Sequence, residues 1–355
     1  MNLFLARDKK IRGKVDIVIG GQYGSEGKGK VISYLSKEYD ICIRTGGPNA
    51  GHTVLINGKK YKLRCLPSCF LNKKTLLLIG PGAVIDPEIF LNEINLLDIE
   101  KNRVFIDYRA GIIEKRHKQE ESEIRKTIGS TGQGVGAALI NRIRRDGTFK
   151  LVKDFNKLSE FLTDTVELVN KGVNKGKRVL VEGTQGFGLS LFHGKYPYVT
   201  SRDTTAQAFL SECGISPKLV DQIFLVIRSY PIRVAGNSGP LYKEISWKVV
   251  TNESGSTSPI IEKTTVTQKV RRVGRFNMKL IKQAVMVNRP TQIALNFIDY
   301  VSSKDRGKRK YEDLTEKSQK FIKEIEKETN VPVTLIGTGP DTYDIIDRRK
   351  DITNV

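Results

Sequence analysis

The run Gly20-Gly21-Gln22-Tyr23-Gly24-Ser25-Glu26-Gly27-Lys28-Gly29-Lys30 places five glycines within residues 20–29 and closes on two lysines. Small residues let backbone N–H groups approach phosphate oxygens, a following helix presents its positive end, and Lys28 can neutralise a phosphoryl group in transfer. The run departs from a strict Walker loop. Five residues separate Gly21 from Gly27, and Gly29 stands where a magnesium-binding Ser or Thr belongs.

A second cluster, Thr45-Gly46-Gly47-Pro48-Asn49-Ala50-Gly51-His52-Thr53, adds a histidine flanked by small residues. Of His52, His117 and His193, only His52 lies in a glycine-rich turn after a strand-like run, where a cation can face a phosphate. The other two read as structural. Among Cys42, Cys65, Cys69 and Cys213, only Cys65 and Cys69 are close in sequence, and no histidine neighbour completes a zinc site. Neither a metal nor a disulfide role is expected for them.

These loops need a frame to hold them. Residues 15–19 form a β-branched run that ends at Gly20, and residues 30–37 carry Val31, Ile32 and Leu35 on one helical face, which gives strand, glycine loop, helix. Further buried-strand candidates are residues 41–44, 75–79, 104–106, 178–181, 223–227, 293–297 and 333–336. Helix candidates between them are residues 87–97, 154–170, 205–213, 278–288 and 315–329. The alternation predicts an α/β fold with a mostly parallel central sheet flanked by helices, with ligands at the carboxyl ends of its strands. Residues 252–259 are the most linker-like stretch, yet nothing cuts the chain, so a single domain over residues 1–355 is expected, with residues 1–14 as a flexible extension.

The chain has 355 residues, 39% hydrophobic and 28% charged, enough for a sizeable core. No apolar run approaches a membrane span, and the first 14 residues lack the apolar core of a signal peptide, so a cytoplasmic protein is expected. The formal charge of +21 raises a nucleic-acid partner. The basic residues, however, are spread along the chain, and the richest cluster, residues 304–310, has no interleaved aromatics. A solvated surface serving small anionic substrates is the better reading, with neither a membrane nor a specific nucleic acid as partner.

Taken together, the two glycine loops resemble those of adenylosuccinate synthetases, which pair a loop ending in Glu-Gly-Lys-Gly-Lys with a second reading Asn-Ala-Gly-His-Thr. Four later matches follow in family order. They are Ile128-Gly129-Ser130-Thr131-Gly132-Gln133-Gly134, then Glu182-Gly183-Thr184-Gln185-Gly186 with Tyr196-Pro197-Tyr198-Val199-Thr200, then residues 264–274, and finally Gly337-Thr338-Gly339-Pro340-Asp341. Neither a nucleic-acid-binding protein nor a hydrolysing switch protein accounts for six ordered motifs.

The resemblance implies an NTP-dependent C–N ligase. A magnesium nucleotide phosphorylates the purine 6-oxygen, and the amino group of L-aspartate then displaces that phosphate. It assigns Ser25, Lys28 and His52 to catalysis, and Ser25 with the Gly51 carbonyl to one or more Mg2+ ions. Donor contacts fall on Gly24, Ser25, Glu26, Gly27, Lys28, Gly29, Lys30, Gly51, His52, Thr53, Arg272, Asn296, Asp299, Gly337 and Gly339. Acceptor contacts fall on Ser25, Asn49, Ala50, Ser130, Thr131, Gln185 and Thr200, with Arg145 supplied by the partner of a homodimer. Val266, Thr267, Arg271 and Arg272 would take aspartate, the two arginines by bidentate capture of its carboxylates.

Most members carry an aspartate at the position of Ser25, a magnesium ligand and the base that takes the N1 proton. Serine is too weak an acid or base for that task. The smaller, neutral side chain leaves room for a 2-amino group, as in the phage and archaeal-like branch that converts dGMP to N6-succino-2-amino-2′-deoxyadenylate. The expected acceptor is therefore dGMP, with IMP as the alternative. Asp299 falls near the base-reading aspartate of the family, whose carboxylate matches the N1–H and 2-amino donors of guanine, so the resemblance favours GTP as donor over ATP or dATP.

Overall fold

The computed structural model describes residues 13–264 and 269–352. Ten strands form one sheet, in the order Ile345–Asp347, Val333–Gly337, Gln292–Asn296, Val220–Arg228, Lys14–Gly20, Arg178–Glu182, Ile41–Arg44, Leu76–Ile79, Val104–Asp107 and Leu162–Thr163. Every neighbouring pair is parallel except the first, which is antiparallel.

The central strands are buried on both faces, which is why their sequences read as continuous apolar runs. Within Lys14–Gly20, Val15, Ile17 and Ile19 face one core, with helices Thr165–Asn174, Ala206–Cys213, Met278–Asn288 and Glu316–Thr329. Val18 faces the other, with Lys28–Leu35 and Pro87–Leu97. The two-residue period of a strand thus sorts one segment between two helical layers.

The expected helix over residues 154–170 is a correction. Asp164 caps a helix that begins only at Thr165, accepting from the Glu167 N–H at 2.9 Å. The preceding residues form 3-10 turns and the edge strand Leu162–Thr163. Helices Lys115–Thr127, Val135–Arg144 and Trp247–Ser254 were not expected, and the last runs into the linker-like residues 252–259. Lys115–Thr127 is polar almost throughout, so it offers little apolar period to read.

Candidate active site

Glu182, Arg44, Arg228, Asn296 and Gly337 each end a strand at the carboxyl edge, and the predicted loops leave the sheet beside them. The first loop is held from within. Glu26 is buried and accepts from the amides of Gln22 (3.1 Å) and Gly24 (2.9 Å) and from Lys28 Nζ (2.7 Å). Asn296 donates to the Glu26 carbonyl at 2.8 Å, and Arg228 Nη1 donates to the Ser25 carbonyl at 2.9 Å. Glu26 and Asn296, expected at the donor, here organise the loop that would bind it.

Helix Lys28–Leu35 has Gly27 as its N-cap, in the left-handed region at φ 91°, which offers no side chain to cap the first amides. Such an end suits an anion. Lys28 Nζ also donates to the Gln185 carbonyl, so the first loop and the loop after Arg178–Glu182 meet at one ammonium. Gly29 has a steric reason for departing from the Walker pattern. A Cβ there would lie 3.0 Å from both His52 Cβ and the Thr53 carbonyl. Lys30 ties this helix to the Gly337–Gly339 turn through the carbonyls of Gly339 and Asp344 (2.7 Å to the latter), and burial pushes its pKa down to about 8.

His52 opens the hairpin His52–Ile56/Lys59–Leu63. Its Nδ1 lies 2.5 Å from Glu182 Oε1, and its buried Nε2 has no partner among the described residues. Glu182 also takes Arg44 Nη1 (3.2 Å) and the Ser68 N–H (2.6 Å) and Oγ (2.9 Å). Burial and then Arg44 push the His52 pKa down to about 4. Burial raises the Glu182 pKa, but Arg44 and His52 outweigh it and hold the carboxyl ionised. His52 is thus neutral at pH 7, with the proton on Nδ1 and the Nε2 lone pair free. A positive charge on His52, expected from the sequence, therefore needs a further anion beside the ring to raise its pKa.

The predicted acceptor residues Asn49, Ala50, Ser130, Thr131, Gln185 and Thr200 lie on loops that abut. Gly46, at φ 119°, has no room for a side chain because a Cβ would lie 2.5 Å from Thr184 Oγ1. Thr200 N–H donates to Leu189 at 2.7 Å, next to the Gln185 turn. Ser130 Oγ accepts from the Gly132 amide at 3.2 Å. Ser25 is exposed at φ 57° and Gln185 half-buried at φ 62°, so both are in the left-handed region, where non-glycine residues are uncommon. Arg145, also left-handed at φ 56°, is exposed at the far end of helix Val135–Arg144, about 15 Å from the Ser130–Gly134 side at 1.5 Å per residue.

Arg271 and Arg272 do not converge. Arg272 pairs with Glu244 (2.5 Å) and donates to the Gly239 carbonyl (2.7 Å), while Arg271 Nε donates to the Lys263 carbonyl at 3.3 Å. Adjacent residues of an extended segment point opposite ways, so the two guanidiniums have different partners here. Val266 and Thr267 lie outside the described residues. Asp299 is half-buried with Lys30 as its leading charge partner, and burial pushes its pKa up to about 6.

His117 bonds the Glu114 amide (3.0 Å) and Asn141 (3.2 Å), and His193 stacks on Phe187. Neither joins the site. The four cysteines are buried and free, and among the described residues no group of three or more His, Cys, Asp or Glu could hold a metal ion. A cation brought with a triphosphate still fits. Ser25 is exposed, and Gly51 borders open space, with no atom within 4 Å of a Cβ built there, which suits an ion that keeps water and phosphate oxygens as ligands. Sequence reasoning gave no role to Arg44, Glu182, Arg64 or Arg228. The available signal was a charged residue closing an apolar run, as in Arg44, Glu182 and Arg228.

Uncapped helix amides, a buried lysine and a carboxylate-backed histidine at the carboxyl edge of a parallel sheet define a phosphate-handling enzyme of the α/β class. The adenylosuccinate synthetase family profile matches residues 17–154 and 148–308. The adenylosuccinate synthetase of Methanocaldococcus jannaschii is 44% identical over 344 residues, 95% of this chain and 97% of that one. That of Pyrococcus horikoshii is 43% identical over 95% of this chain and 99% of its own. A fully ligated adenylosuccinate synthetase from Plasmodium falciparum shares the fold, with a TM-score of 0.85 at 24% identity over 95% of this chain and all of that one. The succinoaminodeoxyadenylate synthetase of cyanophage S-2L, bound to dGMP and to dATP as energy donor, gives 0.82 at 27% identity over 94% and 95%. The chain belongs to the adenylosuccinate synthetase family. It is a C–N ligase that uses a nucleoside triphosphate.

Proposed function

We propose that this ligase joins L-aspartate to C6 of dGMP, giving N6-succino-2-amino-2′-deoxyadenylate, with the whole chain acting as one catalytic unit. One observation carries the acceptor: residue 25, exposed at the tip of the phosphate loop, is a serine. Across the rest of the chain, the archaeal relatives are named for adenylosuccinate, and that similarity backs IMP better than dGMP. IMP is therefore the second reading. We place dGMP first because residue 25 belongs to the reacting loop. There, loss of a carboxylate removes the base expected for IMP and opens space for a 2-amino group.

In this reading the uncapped amides of helix Lys28–Leu35 and Lys28 hold the donor phosphates. The purine 6-oxygen takes the γ-phosphoryl group, and the nucleoside diphosphate leaves. The amino group of aspartate then adds at C6 and inorganic phosphate departs. Since Ser25 is a poor base, the N1 proton leaves to another group. His52 meets the transferred phosphoryl group through Nε2, and incoming negative charge raises its pKa so that it can donate. Ser25 Oγ and the Gly51 carbonyl would hold Mg2+, which supplies charge compensation at the phosphate oxygens.

Asp299 supports GTP as donor, and the dATP of the cyanophage relative supports an adenine nucleotide. An Asp299→Asn variant should lose preference for GTP over ATP; an unchanged ratio removes the argument. A homodimer places Arg145 at the partner's acceptor phosphate, and Ile143, 72% exposed on the same helix, supports contact there. Adduct formation from dGMP and aspartate by the purified chain tests the acceptor, and adduct from IMP alone overturns it.

A further inference from the structure

We infer that Arg64 is the positioning residue that fixes the loops around Asn49 and Thr131 relative to each other, and so sets affinity for the purine monophosphate. The inference rests on the reading that the acceptor lies between these loops.

Arg64 follows the hairpin strand Lys59–Leu63. Its backbone is anchored from below: the buried Glu93 carboxylate accepts from the amides of Arg64 (2.6 Å), Cys65 (3.1 Å) and Leu66 (2.9 Å). The half-buried side chain then reaches two loops far apart in sequence. Nε donates to the Pro48 carbonyl at 2.7 Å, and Nη2 donates to Gln133 Oε1. Gln133 Nε2 passes the constraint on, donating to the Thr131 carbonyl at 3.1 Å. On the other side of Asn49, Arg44 Nη2 donates to the Ala50 carbonyl at 2.6 Å. The carbonyls either side of Asn49 are thus pinned by two arginines, and one of these also sets the Thr131 peptide.

A guanidinium is suited to this work because Nε–H and Nη2–H project from one planar edge in fixed geometry, which a lysine ammonium cannot reproduce. The division of labour also separates positioning from folding. Glu93 grips the backbone whatever side chain stands at 64, while the Arg64 side-chain bonds go to the two loops.

The test compares wild type with Arg64→Met and Arg64→Lys, using dGMP and IMP as probes at saturating donor and aspartate. Arg64→Met should raise the acceptor KM at least about tenfold, the loss expected for charge-assisted hydrogen bonds. Donor and aspartate KM, kcat at saturating acceptor and Tm should stay near wild type, and lysine should not restore the acceptor KM. An unchanged acceptor KM overturns the inference, as does a parallel rise in every KM with a lowered Tm. Calorimetric titration of dGMP and IMP reads the same difference without turnover. A wild type that binds but forms no adduct therefore contradicts the proposed reaction, whereas equal affinities in wild type and Arg64→Met contradict the role of Arg64.

Discussion

At the scale of single residues, the proposed chemistry rests on Ser25 and His52. The Ser25 backbone sits at φ 57°, a region that aspartate enters more readily than serine, so Ser25→Asp should fold without new strain. It should shift kcat/KM toward IMP relative to dGMP by about tenfold or more, since a carboxylate restores a base and fills space near the purine edge. An unchanged ratio would separate residue 25 from acceptor choice. His52 makes a pH prediction. The folded pKa is about 4 against an ordinary value of 6.5, so between these values the unfolded chain binds a proton that the folded chain does not. Stability should fall as pH drops from 6.5 toward 4 and be indifferent to His52 above 6.5. A 15N titration of the imidazole should show a neutral ring with Nδ1 protonated at pH 7, and a raised pKa when a non-hydrolysable triphosphate binds. A ring that titrates near 6.5 in the free protein would contradict the buried Glu182–His52 arrangement.

At the scale of elements, the site is a set of strand ends tied together by buried charge. Glu182→Gln keeps the shape but leaves Arg44 without its ion partner, and breaking such a pair costs about 3–5 kcal/mol. Urea unfolding should show that loss together with reduced turnover, because an amide that can present either its oxygen or its NH2 no longer fixes the tautomer of His52. Stability within experimental error of wild type would mean that the network is not a structural tie. The strands at 41–44 and 223–227 could be read from their apolar runs because a parallel sheet buries both faces. The two glycine loops could be read because phosphate binding constrains residue type at fixed spacing. Arg64 could not, since its partners Pro48 and Gln133 lie 16 and 69 positions away and no periodicity links them. Nor could the divergence of Arg271 and Arg272, which depends on the Glu244 partner and on the pleat of the chain. The helix at Thr165 began later than expected because the Asp164 cap and the edge strand outweighed a continuous apolar pattern.

At the scale of the whole molecule, the proposed dimer makes each site depend on two chains. Mixing inactive Arg145→Ala and His52→Ala proteins under exchange conditions should restore up to about a quarter of wild-type activity, because half of the dimers are mixed and each has one intact site. Continued inactivity in dimers shown to have exchanged would remove Arg145 from the partner's site. No helix among the described residues is long and apolar enough to cross a membrane. The most direct test of the central claim is phosphate release with aspartate and Mg2+, pairing dGMP, GMP or IMP with GTP, ATP or dATP. The account predicts aspartate-dependent release with dGMP well above that with IMP. Release with IMP and none with dGMP would contradict it.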